Sequence, residues 1–280
     1  MKIVRAEEIT SLVEKLCIEA CCVITSDIYN GFQSCLKTEK SPLGRQIIGT
    51  LIENAEIART EKSPICQDTG MTVVFVRMGQ DVHIEGGFIE DAINQGVRQG
   101  YTKGFLRKSV VKDPIERENT KDNTPAIIHY EIVEGEDFHI TVAPKGFGSE
   151  NKSGLKMLTP SEGIEGIKRF VIETVSHAGA NPCPPIIVGV GIGGTMEKAA
   201  LLSKKALLRP VGSKNTNETL QSLETELLED INALGIGPAG FGGTNTALAV
   251  NIITNATHIA GLPVSVNIGC HATRHAEGSL

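Results

Sequence analysis

The sequence predicts a mixed α/β protein: an amino-terminal helical cluster followed by β-sheets flanked by helices. Two observations carry this. Up to Arg59, apolar residues recur three and four positions apart, the spacing of amphipathic helices. From Met71 onward, short β-branched runs alternate with further helical stripes across glycine-rich turns, the pattern of strands and helices packed in layers.

The elements follow in order. Ala6 to Thr25 carries a stripe of Ile9, Leu12, Val13, Leu16, Cys17 and Ala20. Ser26 and Asp27 are N-cap candidates for a second helix ending near Leu36, and Leu43 to Arg59 gives a third. Met71 to Arg77 reads as a buried strand, and a helix from Phe88 to Tyr101 follows Gly86 and Gly87. A basic loop runs from Lys103 to Pro114 and a polar stretch continues to Pro125. Ala126 to Ile132 and Phe138 to Ala143 read as a strand pair joined at Glu134-Gly135-Glu136. Helices are expected over Ser161 to Ala178, from Thr195 to about Leu208, and over Asn217 to Leu234. Ile186 to Val190, Ala247 to Ala256 and Pro263 to Ile268 read as buried strands. No internal repeat and no linker is visible, so residues 1–280 are expected to form one domain.

Composition narrows the function. With 40% hydrophobic residues and a net charge of -6, the chain reads as an ordinary globular protein. The mild acidity argues against nucleic-acid and membrane-surface partners, which repel an acidic face. No apolar run reaches the ~20 residues of a membrane span. Glu7 and Glu8 interrupt the start, which lacks a secretory h-region, so a cytoplasmic location is expected. The cysteines are odd in number and irregularly spaced, which does not read as a disulfide framework.

Four cysteines, Cys17, Cys21, Cys22 and Cys35, lie among apolar neighbours on expected helices and read as small buried hydrophobes. Cys66, Cys183 and Cys270 differ. Each sits at a turn beside a buried strand, flanked by Pro or Gly and by polar groups. Three widely separated thiols on rigid turns suit a 4Fe–4S cluster with one iron left without a protein ligand, and three unrelated thiols is the competing reading. The turn Ser63 to Gly70, SPICQDTG, also puts Gln67 and Asp68 beside Cys66, aiming a ligand and a proton-transfer group at one point. The loop from Pro144, PKGFGSENKSG, carries Gly146, Gly148 and Lys152 and is suited to gripping an anion through backbone N–H groups. Gly189, Gly191 and Gly194 match G-x-G-x-x-G, but no acidic residue closes a second strand some 20 positions on, so dinucleotide binding is poorly supported.

SPICQDTG, KGFGSENKSG, NPCPPIIVGVGIGGT and VNIGCHATRHA, in this order, resemble the class I (iron–sulfur) fumarate hydratase family, which includes L(+)-tartrate dehydratase. More specifically, the chain resembles the α subunit of the two-chain form, equivalent to the amino-terminal domain of the single-chain enzymes. The resemblance implies that residues 1–280 are that catalytic domain and that Cys66, Cys183 and Cys270 hold a 4Fe–4S cluster. It makes Gln67 a substrate-carboxylate contact, Asp68 a catalytic carboxylate and Arg107 a basic carboxylate clamp. His258, twelve residues before Cys270, matches an active-site histidine. One departure is Phe147, which stands where the family often has the middle of three glycines. The implied reaction is reversible hydration of fumarate to malate, with tartrate dehydration as the alternative. A non-enzymatic metal-binding protein and a dinucleotide-dependent oxidoreductase are the rivals from other classes. The resemblance also implies that the rest of the pocket comes from a β subunit, in an αβ or α2β2 assembly acting on a small dicarboxylate.

Overall fold

In the computed structural model, which describes residues 1–280, the elements run in chain order as follows. The first half has β1 (Lys2–Arg5), α1 (Ala6–Cys22), α2 (Ser26–Thr38), α3 (Pro42–Glu61), β2 (Met71–Gly79), β3 (Val82–Glu85), α4 (Ile89–Lys103), β4 (Ile127–Val133) and β5 (Phe138–Lys145). The second has α5 (Phe147–Glu150), β6 (Gly154–Leu158), α6 (Gly163–Ala178), β7 (Ile186–Gly194), α7 (Met196–Ala206), α8 (Glu218–Ala233), β8 (Ala247–Thr257), β9 (Leu262–Gly269) and β10 (Ala276–Ser279). The chain is mixed α/β, as its periodicities predict. It divides into two units: Met1–Thr25, Asn54–Phe147 and Arg274–Leu280 in the first, Ser26–Glu53 and Gly148–Thr273 in the second. The amino-terminal helices are therefore shared out, α1 to the first unit and α2 to the second.

The first unit is built on a four-stranded sheet of order β10-β5-β2-β4. β2 is central, parallel to β4 and antiparallel to β5. Its run of Val73, Val74, Phe75 and Val76 is buried, as a central strand requires. α1 and α4 lie close together because α4 is notched. A Cβ on Gly96 would stand 2.7 Å from the Thr10 carbonyl oxygen, and one on Gly100 would stand 2.8 Å from the Cys17 Cβ. Ile9, Val13, Cys17, Ile93, Val97 and Tyr101 fill that contact.

The second unit repeats the plan. Its sheet has the order β6-β9-β7-β8, with β7 central, parallel to β8 and antiparallel to β9. Here α7 is seated on β7 through glycine: a Cβ on Gly191 would stand 2.9 Å from the Leu202 Cβ, and nearer still to the Ala199 carbonyl. Gly189 and Gly191 thus serve strand–helix packing. In both units a central strand leads to a helix and then to a parallel strand on one side. A four-residue connection crosses to an antiparallel strand on the other side, and an antiparallel edge strand completes the sheet.

One sequence expectation is corrected by this topology. The Ala126–Ile132 and Phe138–Ala143 runs are strands, but they are not paired with each other, because β2 lies between them. Their connection crosses the end of β2, where the Gly79 N–H donates to the Asp137 carbonyl and the Gln80 N–H to that of Val133. The sequence carries no internal repeat, yet the two sheets share a topology.

One buried carboxylate braces the second unit. Glu39 is 1% exposed and accepts from the N–H groups of Ser41, Thr244 and Asn245 and from the Asn245 amide. Burial alone would raise its carboxyl; the four donors outweigh it and hold it at about 2. A carboxyl so depressed contributes stability that is complete above its unfolded value of 4.5 and is lost as pH falls toward 2. Glu39→Ala should therefore cost about 3 kcal/mol or more, because buried donors lose their acceptor. In urea melts, the advantage of wild type over Glu39→Gln should shrink as pH falls from about 4.5; a constant difference across that range contradicts this assignment.

Candidate functional site

The turn Ser63–Gly70 leaves α3 and enters β2 in the first unit, and its backbone is tied down almost residue by residue. The Ile65 N–H donates to the Cys21 carbonyl at 2.9 Å, and the Asn54 amide donates to the Ile65 carbonyl at 2.9 Å. The Tyr101 hydroxyl, fully buried, donates to the Thr69 carbonyl at 2.8 Å and lies 3.1 Å from that of Gly70. Asn123 adds a donor to Gly70 at 3.2 Å. Gly70 has φ +79, and a Cβ there would stand 2.7 Å from the Lys145 backbone, so only glycine lets the turn meet the end of β5.

Asp68 is held at every acceptor. Its Oδ1 accepts the Gly70 N–H at 2.9 Å, its Oδ2 accepts the Phe147 N–H at 2.9 Å, and its carbonyl accepts Arg274 Nη2. A carboxylate offers about four lone-pair positions, so two remain for other contacts. Gly146 flanks the carboxylate: a Cβ there would stand 3.3 Å from Oδ2. The Phe147 N–H, at the start of the glycine-rich loop, is thus engaged by Asp68. Gln67 beside it is exposed. Arg107 is also exposed, and its carbonyl accepts the Thr69 hydroxyl at 3.1 Å, tying the basic loop to the turn. Gln67, Asp68, Gly146 and Arg107 therefore belong to one neighbourhood of the first unit.

In the second unit Cys183 precedes β7 and Cys270 follows β9, the same end of one sheet. Cys183 is exposed with φ +55, a left-handed conformation that costs a non-glycine residue energy and that recurs at functional sites. The Cys183 carbonyl accepts from the His271 N–H at 3.2 Å and from its Nδ1 at 3.1 Å, so the residue after Cys270 clasps the Cys183 turn. The Cys270 carbonyl in turn accepts the Thr273 hydroxyl at 2.7 Å. Gly148 flanks the Asn181 carbonyl of the same turn, and the Lys152 N–H closes a turn on Ser149.

His258 is placed elsewhere. It lies in the β8–β9 connection, where its Nδ1 accepts the Ala260 N–H. That connection crosses the far end of β7, whose nine residues span about 26 Å at ~3.3 Å each. Within one chain the structure does not bring His258 to Cys183 and Cys270. Residues given no site role from sequence are Tyr101, His271 and Arg274.

The cysteines sort by environment as their sequence settings predict. Cys17, Cys21, Cys22 and Cys35 are buried, Cys66 and Cys270 are half-buried and Cys183 is exposed, with no disulfide. Burial pushes the Cys21 thiol up to about 12, against the pull of the Arg274 charge, and Cys35 up to about 11. In neither unit do three Cys, His, Asp or Glu side chains gather as the donor set of a single metal ion. The accessible thiols are of the donor type that an iron–sulfur cluster takes. No helix is long and apolar enough to cross a membrane.

Iodoacetamide on the native chain should label Cys183 fastest, Cys66 and Cys270 next, and the other four only after denaturation, as peptide mass spectrometry would read. Labelling of Cys17 or Cys21 at the Cys183 rate contradicts this order.

Comparison with known proteins agrees over nearly the whole length. The family described as "Fumarate hydratase (Fumerase)" matches residues 10–279. The "Putative L(+)-tartrate dehydratase subunit alpha" of Methanocaldococcus jannaschii is 44% identical over 275 residues, 96% of each chain. The L(+)-tartrate dehydratase subunit alpha of Escherichia coli strain K12 is 36% identical over 257 residues, covering 91% of this chain and 84% of that one. The subunit of the same description from Shigella sonnei matches to the same extent. The chain therefore belongs to the fumarate hydratase family of hydro-lyases.

Proposed function

We propose that this chain is the α subunit of a two-chain hydro-lyase that adds or removes water at a four-carbon dicarboxylate. Its cofactor in this reading is a 4Fe–4S cluster held by Cys66, Cys183 and Cys270. The observation that carries the reading is the sorting of the thiols: the three at strand-end turns are accessible and the other four are core. The names of the relatives favour L(+)-tartrate as substrate. The family description favours fumarate as the second reading.

Removing water needs a carrier for the proton of a weakly acidic C–H and a way to stabilise the departing hydroxyl. Asp68 is the proton carrier, with two lone-pair positions open beyond its backbone contacts. Arg107 supplies a charge-assisted clamp for one carboxylate, and Gln67 contacts the same group. Gly146, Gly148 and Lys152, of the glycine-rich loop, add support for the anionic substrate. When bound, a cluster with one iron lacking a protein ligand supplies a Lewis acid for the hydroxyl and a carboxylate. His258 is given no step. A substrate with two negative charges meets one arginine clamp among these residues, so a β chain is assigned the second clamp and the partner base. The reading places the assembly, αβ or α2β2, in the cytoplasm, where cysteine thiols stay reduced.

The test is anaerobic reconstitution with the β chain, followed by assays on L(+)-tartrate and on fumarate. The α chain alone should be silent, because loss of a clamp and a base together removes factors of about 10² each. Cys66→Ser should lower bound iron and sulfide. Full turnover by the isolated α chain would sink the half-site claim, and iron at background after reconstitution would sink the cluster.

A further inference from the structure

Arg274 sits four residues beyond Cys270 and is 4% exposed in the first unit. A guanidinium stays charged at any accessible pH, and burying a charge is costly unless it is engaged. Its Nη2 donates to the backbone carbonyl of Asp68. Its charge favours ionisation of Cys21, Cys22 and Tyr101 against their burial.

The contacts of the turn divide by kind. The Thr69 and Gly70 carbonyls are held by the neutral donors Tyr101, Cys21 and Asn123. The Asp68 carbonyl is held by a cation. A charge-assisted bond is roughly twice as strong as a neutral one, and a planar guanidinium fixes direction as well as distance. The peptide it fixes is the one from which the Asp68 side chain departs. The carboxylate, already gripped by the Gly70 and Phe147 N–H groups, then has a single orientation relative to Cys66 and Gln67 in the same turn.

We propose that Arg274 is a positioning residue for the reaction: it aims the Asp68 carboxylate by holding its peptide plane and touches no substrate. This rests on the reading of Asp68 as proton carrier. A misplaced proton carrier lowers kcat with little effect on KM, and a displacement near 1 Å can cost about 10²-fold.

The experiment uses the assembled, cluster-loaded α–β enzyme with Arg274→Met, Arg274→Lys and Asp68→Asn, each kcat divided by measured cluster content. Arg274→Met should lose about 10²-fold in kcat with KM within about threefold, and with iron, sulfide and thermal midpoint near wild type. Arg274→Lys restores the charge and a point donor but not the planar fork, and should recover to about tenfold below wild type. If Arg274→Met does not fold, Arg274→Lys decides alone: a tenfold lower kcat at unchanged KM supports the inference and an unchanged kcat overturns it. A kcat loss in Arg274→Met that vanishes on division by cluster content assigns Arg274 a purely structural role and also overturns it. Asp68→Asn separates the two ideas. Wild-type turnover in Asp68→Asn removes the proton-carrier reading, whereas an inactive Asp68→Asn beside a fully active Arg274→Met removes only the role given to Arg274.

Discussion

In the proposed reading, the fixing of Asp68 at its carbonyl and at both carboxylate oxygens is the constraint on which the first unit's chemistry depends. A carboxylate on a loop ordinarily samples several rotamers, and each would aim its proton at a different point. Here two backbone N–H groups and a buried guanidinium remove that freedom before any substrate arrives, which is what positioning chemistry requires. The rest of the unit is arranged to supply those donors. Gly70 lets the turn approach the end of β5, which brings the Phe147 N–H to the carboxylate. Tyr101 reaches the turn from α4, and α4 reaches α1 because Gly96 and Gly100 leave room for it.

The second unit applies the same plan to its thiols. In both sheets the segment entering the central strand carries a cysteine, Cys66 before β2 and Cys183 before β7. In both, the antiparallel neighbour of that strand ends on the other recruited group, Gly146 and Phe147 after β5 and Cys270 after β9. The cysteines and Asp68 of the proposed site therefore lie at one particular end of each sheet, where the backbone leaves its ladder and can be bent by Pro and Gly. The opposite end holds the four-residue crossings, and there lies His258. Packing by glycine explains the G-x-G-x-x-G run as well: Gly189 and Gly191 admit α7 to β7, so the motif needs no dinucleotide.

Much of this was legible in the residues. Helical stripes gave α1, α3, α6 and α8 to within a few positions, because amphipathic periodicity is local. The flanks of the cysteines separated Cys66, Cys183 and Cys270 from the core thiols, because Pro, Gly and polar neighbours together mark turns and not the apolar stripe of a helix. Strand partners were not legible. β4 and β5 carry the signals of a hairpin, but β2, far upstream, takes the place between them, and pairing between distant segments leaves no local mark. The shared topology escaped for the same reason, since only backbone order repeats. Arg274 and Tyr101 gave no signal of their own, because a buried polar group is recognised by the carbonyl it meets and not by its neighbours in sequence. His258 matches an active-site histidine of the resembled family, and here it lies in the β8–β9 connection with the length of β9 between it and Cys270.

The account stands or falls on Asp68 as the group that carries the substrate proton. The most direct measurement is exchange of the substrate C–H with solvent deuterium by the assembled enzyme, wild type against Asp68→Asn, at equal cluster content. Exchange in the variant should fall by about 10² or more, while iron and sulfide remain unchanged. Exchange at the wild-type rate in Asp68→Asn would contradict the account.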